Sequence, residues 1–154
     1  MDIFVFSSKN LTNIWAGIGA KLWAVAEREQ SASAMGRERK SQNMLVGSFG
    51  ALYCVETHAL TTPFIVYSKP DKERVIDNVW PEKWVLPFRI FPLGTPELQL
   101  KSDDAKKLLP VFKRTGETNF GNVFFVQAIT AFSATKIDVT DWEILMERLA
   151  TKGA

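Results

Sequence analysis

Five tryptophans, one histidine and one cysteine are the side chains from which this 154-residue sequence could build a site. The two scarce ones set limits. His58 alone cannot form a two-histidine zinc site. Cys54 alone can neither close an internal disulfide nor supply a cysteine-rich zinc site. His58 falls in a polar turn and reads as an exposed bystander, and Cys54 falls in an apolar run and reads as a buried thiol. The sequence has no GxxxxGK[ST] loop and no strand-linked GxGxxG. Asp103 and Asp104, being adjacent, would point in different directions on a helix. No spacing selects a catalytic set, so a lysine- or carboxylate-based enzyme stays an alternative without a motif. Neither a metal nor a cofactor is expected.

The tryptophans divide into two groups. Trp15 and Trp142 fall on apolar helical faces and read as core. Trp23 follows a helix whose end is weakened by Gly17 and Gly19, while Trp80 and Trp84 bracket the polar turn Pro81-Glu82-Lys83. Partly exposed rings held at the ends of elements can form a concave cage. Such a cage suits a flat base, with two rings on its faces and a third over a small apolar substituent. Stacking contributes on the order of 1–3 kcal/mol per base, and burial of one methyl adds about 0.8 kcal/mol. The same cage could hold a free small ligand. It could also hold a methyl-lysine against the ring faces, with Glu82 as the nearby acid.

The elements that position these rings follow from periodicity. Asp2 to Phe6 reads as a strand, Ser7 to Asn10 as a polar, helix-capping turn, and Leu11, Ile14, Trp15 and Ile18 as one face of a short helix. Lys21 to Val25 is a second strand. Glu27 to Asn43 is polar and reads as an exposed loop or frayed helix. Phe49 to Glu56 and Phe64 to Tyr67 are strands separated by a turn from Thr57 to Pro63. Pro70 to Asp77 is predicted as a helical turn. Trp84 to Phe91 is a further strand, in which Pro87 marks an edge or a bulge. A short helix capped at Ser102 or Asp103 ends before Pro110. A polar loop spans Lys113 to Asn122, and Val123 to Ala131 is an apolar strand or short helix. Thr140-Asp141-Trp142-Glu143 has a capping-box pattern, and Trp142, Leu145 and Leu149 make one helical stripe. The fold expected is α+β: one domain over residues 1–154, with a curved, barrel-like sheet flanked by short helices.

The net charge of +2 rules out a basic tail that coats nucleic acid by charge alone, so any such contact needs a local patch and a shaped pocket. Arg28, Arg37, Arg39 and Lys40 form a candidate phosphate-contacting arm, offset in part by Glu27, Glu29 and Glu38. Lys21 and Lys69 are further candidates. No apolar stretch has transmembrane length and no signal-type segment opens the chain, which predicts a cytoplasmic protein without a membrane partner.

Several landmarks resemble a known family. Ile3-Phe4-Val5-Phe6-Ser7-Ser8-Lys9-Asn10, then Ile14, Ile18 and Trp23, resembles the opening of YTH domains. Phe49 to Glu56 with Phe64 to Tyr67 resembles their central strands. Val79-Trp80-Pro81-Glu82-Lys83-Trp84, running into Phe88-Arg89-Ile90, resembles the segment that carries their other cage tryptophans. The terminal helix resembles that of EVE domains, and both families are PUA-like. The resemblance implies a non-catalytic module that binds DNA or RNA carrying a modified, in particular methylated, base, with a larger restriction-type assembly as one setting. It implies Trp23, Trp80 and Trp84 as the cage, and Ser7, Ser8, Lys9 and Asn13 near the base edge. Ser7 stands where YTH readers commonly carry lysine. The enzyme alternative within the superfamily is a small ASCH-type hydrolase or nuclease, with Lys9, Lys21 and Tyr53 as the residues to suspect.

Overall fold

The computed structural model describes residues 1–27 and 32–152, with side chains from residue 34 onward in the second stretch. Its centre is a mixed sheet. Strand β1 (Ile3–Ser8) leads through helix α1 (Leu11–Ala20) to β2 (Leu22–Ala26), and helix α2 (Ala32–Ser41) leads to β3 (Phe49–Cys54). Then come β4 (Ala59–Val66), the short β5 (Val75–Ile76), β6 (Trp84–Pro92) and β7 (Gln99–Lys101). The strand order is β1-β3-β4-β6-β2, with β5 added on β6 and β7 on β4. The β1–β3 pair is parallel, Ile3 facing Phe49 and Ser8 facing Cys54, and the other pairs are antiparallel.

The sheet curves because two strands carry an extra residue. Gly50 pairs with Phe64 but Leu52 with Thr61, so β4 gains a residue, and Thr62 there has φ 50°. Trp23 pairs with Phe88 but Val25 with Val85, so β6 gains a residue, and Leu86 there has φ 57°. Bulges bend a strand and increase its twist. Pro87 thus marks a bulge, as its position in an apolar run suggested, but on a strand with neighbours on both sides. Gly50 is required beside the first bulge, because a Cβ there would lie 2.5 Å from the Phe64 ring.

Both sheet faces are covered over part of their extent. Phe4, Phe6, Leu52, Phe64, Val66, Trp23 and Phe88 point to one core. Ile3, Val5, Ala51, Tyr53, Leu60 and Leu100 point to the other. This two-sided burial is why β1 and β3 read as continuous apolar runs. The second core is closed by α3 (Ser102–Leu108), α4 (Pro110–Thr115), α5 (Gly121–Phe124) and α6 (Val139–Leu149). Helix α6 presents Trp142, Leu145 and Leu149 inward, as their spacing predicts.

Several expectations are corrected. Residues 70–77 hold only a short turn, at Lys72 and Glu73. Val75 and Ile76 pair with β6 instead, β-branched residues suiting a strand. The turn expected at Thr57–Pro63 is shorter, because Thr61 and Thr62 are buried in β4, and the Thr61 hydroxyl donates to the Leu98 carbonyl at 2.8 Å. Pro110 opens α4 as well as ending α3, since its fixed φ suits a first helical turn. The α6 capping pair is Asp138 and Asp141, two residues earlier than the expected Thr140 and Glu143. Trp15 is not core: it is 44% exposed.

Candidate functional site

The two ends of the strand path, β1 and β2, do not pair with each other, and α1 spans from one to the other. At this seam lies a pocket of about 390 Å³, within the range of about 300–1,000 Å³ usual for small-ligand sites. One wall is β1 with Ser7 and Lys9, another is β2 with Trp23 to Ala26, and Asn13 reaches in from α1. Trp84, Glu82 and Arg37 complete the mouth with Gln127, Ala128 and Ala131.

Trp23 is held in place by a glycine. On α1, Gly17 leaves the indole so close that a Cβ would lie 2.8 Å from the ring and 2.9 Å from the Leu22 carbonyl. Trp80 and Trp84 stack face to face, 4.0 Å between centroids and 10° from parallel. Trp23 meets both edge-on, at 5.5 Å and 81° to Trp80 and 5.2 Å and 83° to Trp84. The Trp80 indole N–H donates to the Asn13 carbonyl at 2.9 Å, and the Trp84 indole N–H donates to a Glu82 carboxylate oxygen at 3.2 Å.

The three rings therefore gather in one cluster, but not as three open walls. Trp23, Trp80 and Trp84 are 1%, 3% and 6% exposed, where partly exposed rings were expected. A base between two rings needs two stacking distances of roughly 3.5 Å each. The 4.0 Å separation of Trp80 and Trp84 has no room for one. Trp80 does not line the pocket. It backs Trp84, while Trp23 and Trp84 line the cavity.

Of the polar candidates, Ser7, Lys9 and Asn13 line the cavity. Asn13 is 5% exposed, and its N–H is held by the Asn10 side chain that caps α1. Among the described residues no hydrogen bond engages its side-chain amide, which leaves that group for the cavity. Ser8 is turned away, with its hydroxyl donating to the Asn10 carbonyl at 2.8 Å.

The basic candidates scatter. Arg37 is buried in the pocket wall and does not stand on a solvated arm. Arg39 is exposed, and Lys40 donates to the Ser133 hydroxyl at 3.1 Å. Lys21 is exposed at the αL end of α1, and Lys69 is exposed beyond β4. Arg28 lies outside the described residues. The Gln127–Ala131 wall escaped sequence reasoning. It is brought in by Phe4 bridging to Ala134 and by the Thr135 N–H on the Ile3 carbonyl, contacts without a local signature. Tyr53, suspected in the enzyme alternative, packs against Phe120 in the second core, away from Lys9 and the pocket. Among the described residues no group of three or more metal-ligating side chains forms, and no helix is long and apolar enough to cross a membrane.

No protein-family model and no curated protein sequence matches the chain. Solved structures do. The apo CPSF4-YTH domain of Toxoplasma superposes with a TM-score of 0.58 at 15% identity, covering 98% of this chain and 89% of its own. The Pho92 YTH domain, solved in complex with m6A, gives 0.61 at 12% identity, covering 99% and 85%. The YTH domain of Zygosaccharomyces rouxii MRB1, solved with N6-methyladenosine RNA, gives 0.60 at 12% identity, covering 95% and 84%. The fold is YTH-like: a curved, half-barrel mixed sheet flanked by short helices.

Proposed function

We propose that the protein is a cytoplasmic, non-catalytic module that binds a methylated base in nucleic acid, with N6-methyladenine in RNA as the leading ligand. One observation carries the reading. Trp23 and Trp84 share a cavity with Ser7, Lys9 and Asn13, in a fold shared with domains solved around that base. Because the two indoles stand nearly perpendicular, a base in the cavity can stack on only one of them. Asn13, with both a carbonyl and an NH2 in its side chain, can accept from and donate to a base edge. Lys9 supplies positive charge at the mouth for the phosphate of the flipped-out nucleotide.

The test is a binding panel of RNA and DNA oligonucleotides of one sequence carrying adenine, N6-methyladenine, cytosine or 5-methylcytosine. The reading expects the tightest binding to N6-methyladenine in RNA. The methyl group alone contributes roughly fourfold, from burial of about 0.8 kcal/mol. A preference for modified DNA would move the protein to the setting of a restriction-type assembly. Equal binding of all members would remove the base-reading role.

A further inference from the structure

The helices of the second core pack on β1, β3, the first half of β4 and β7, while Tyr67, Arg89 and Phe91, beyond them on the sheet, are exposed. Side chains alternate across a strand. Val66 and Ile90 are buried inward, so their neighbours Tyr67, Arg89 and Phe91 point outward. Tyr67 is 63% and Phe91 53% exposed, and their rings lie side by side, 6.4 Å between centroids and 33° apart. Rings fully buried for stability, such as Phe64 and Phe88 on the inner face, contrast with this pair.

The surroundings are cationic. Arg89 stands beside both rings, its N–H accepted by the Ser68 hydroxyl and its carbonyl accepting from Tyr67 N–H. Exposed Lys69 follows two residues after Tyr67. Among the described residues no ion pair engages Lys69 or Arg89. On the adjoining turn, the Asp71 carboxylate accepts from the Glu73 N–H.

The geometry points to a second nucleic-acid surface: the Tyr67–Phe91 face binds unmodified single-stranded nucleic acid, with bases on the two rings and phosphates on Arg89 and Lys69. Flat aromatic platforms edged by cations are what a single strand requires, because every base has a stacking face and every linkage a negative charge. The surface is separate from the pocket, none of whose lining residues it uses.

The test uses the full chain and a fluorescein-labelled, unmodified oligouridylate of about 16 nucleotides, the upper end of common single-strand site sizes. Anisotropy titrations across a salt series compare wild type with the Tyr67→Ala/Phe91→Ala double variant and with Arg89→Gln. The double variant is expected to bind about tenfold or more weakly. Arg89→Gln is expected to reduce the slope of log K against log salt by about 0.7. The ratio of affinities for N6-methyladenine-containing and unmodified RNA should stay as in wild type, so failure of the pocket reading and failure of this one are distinguishable. All three residues are exposed, and the single Arg89→Gln change carries the test should the double variant melt early. Unchanged affinity and slope in these variants would overturn the proposal. So would a wild type that ignores the oligouridylate, or a patch that serves only to pair two copies of the chain in sedimentation.

Discussion

Trp80 and Trp84 are laminated, their indoles 4.0 Å apart and 10° from parallel, and Trp23 abuts both edge-on. A base cannot enter between Trp80 and Trp84 as they stand. The two tryptophans therefore have different duties: Trp84 faces the cavity, and Trp80 supports it from behind through its ring and its bond to the Asn13 carbonyl.

These duties predict opposite signatures. Trp84→Ala removes a ring from the cavity wall and should weaken binding of the methylated base by about 1–3 kcal/mol. Trp80→Phe keeps a ring but loses the hydrogen bond to Asn13. It should lower stability by about 1 kcal/mol and disturb binding only through the position of Asn13. Melting curves and titrations on both variants check the split. A Trp80→Phe protein of wild-type stability that cannot bind would reverse the assignment.

Gly17 sets the position of Trp23. Gly17→Ala would place a methyl 2.8 Å from the indole and 2.9 Å from a backbone carbonyl that cannot move freely. Overpacking of this kind costs typically 1–3 kcal/mol. Gly19→Ala, with nothing within 4 Å of its Cβ, is the control and should leave stability unchanged or raise it slightly. Denaturant titration of the two variants reads the difference, and equal stabilities would show that α1 yields to the ring.

Leu145 is fully buried in α6 between the helix and the sheet. Leu145→Ala should cost about 2–5 kcal/mol while leaving the base-to-methyl-base affinity ratio intact in the folded fraction. A change below about 0.5 kcal/mol, the range of surface substitutions, would contradict docking of this helix.

The cap of α6 is acid-sensitive. Asp138 accepts the N–H groups of Asp141 and Thr140, and Arg114 lies 3.2 Å away. The Asp141 backbone bond first, then the Asp141 side chain, Arg114 and the Thr140 backbone bond, holds the Asp138 carboxyl below its ordinary value of 3.8. A depressed carboxylate stabilises the fold above its unfolded-state value, and this contribution disappears as pH falls through the lower folded-state value. Wild type should therefore lose more stability than Asp138→Asn on acidification below about pH 4. Thermal melts of both proteins over that range would show parallel curves if the cap were indifferent to charge.

The strands and the polar turn of the site were legible in the sequence because their signals are local. Ile3 to Phe6 and Phe49 to Cys54 are apolar on both faces, Ser7 to Asn10 has capping chemistry, and Trp142, Leu145 and Leu149 keep helical spacing. What escaped is non-local. Trp15 shares the helical spacing of Ile14 and Ile18, yet it is largely exposed. The stack of Trp80 on Trp84 forms against Trp23 from another strand, and residues 127–131 reach the pocket through contacts of the following segment with Phe4 and Ile3. Arg37, read as an arm to solvent, is turned inward by α2.

Placement of the ligand is tested most directly by nitrogen-15 NMR with N6-methyladenosine-containing RNA. Of the five indole N–H signals, those of Trp23 and Trp84 should shift, with the Asn13 side-chain amide, while that of exposed Trp15 stays in place. The unmethylated RNA should reproduce these shifts only at higher concentration. Shifts confined to other residues, or indole signals of Trp23 and Trp84 that stay unmoved at saturation, would contradict the pocket as the base site.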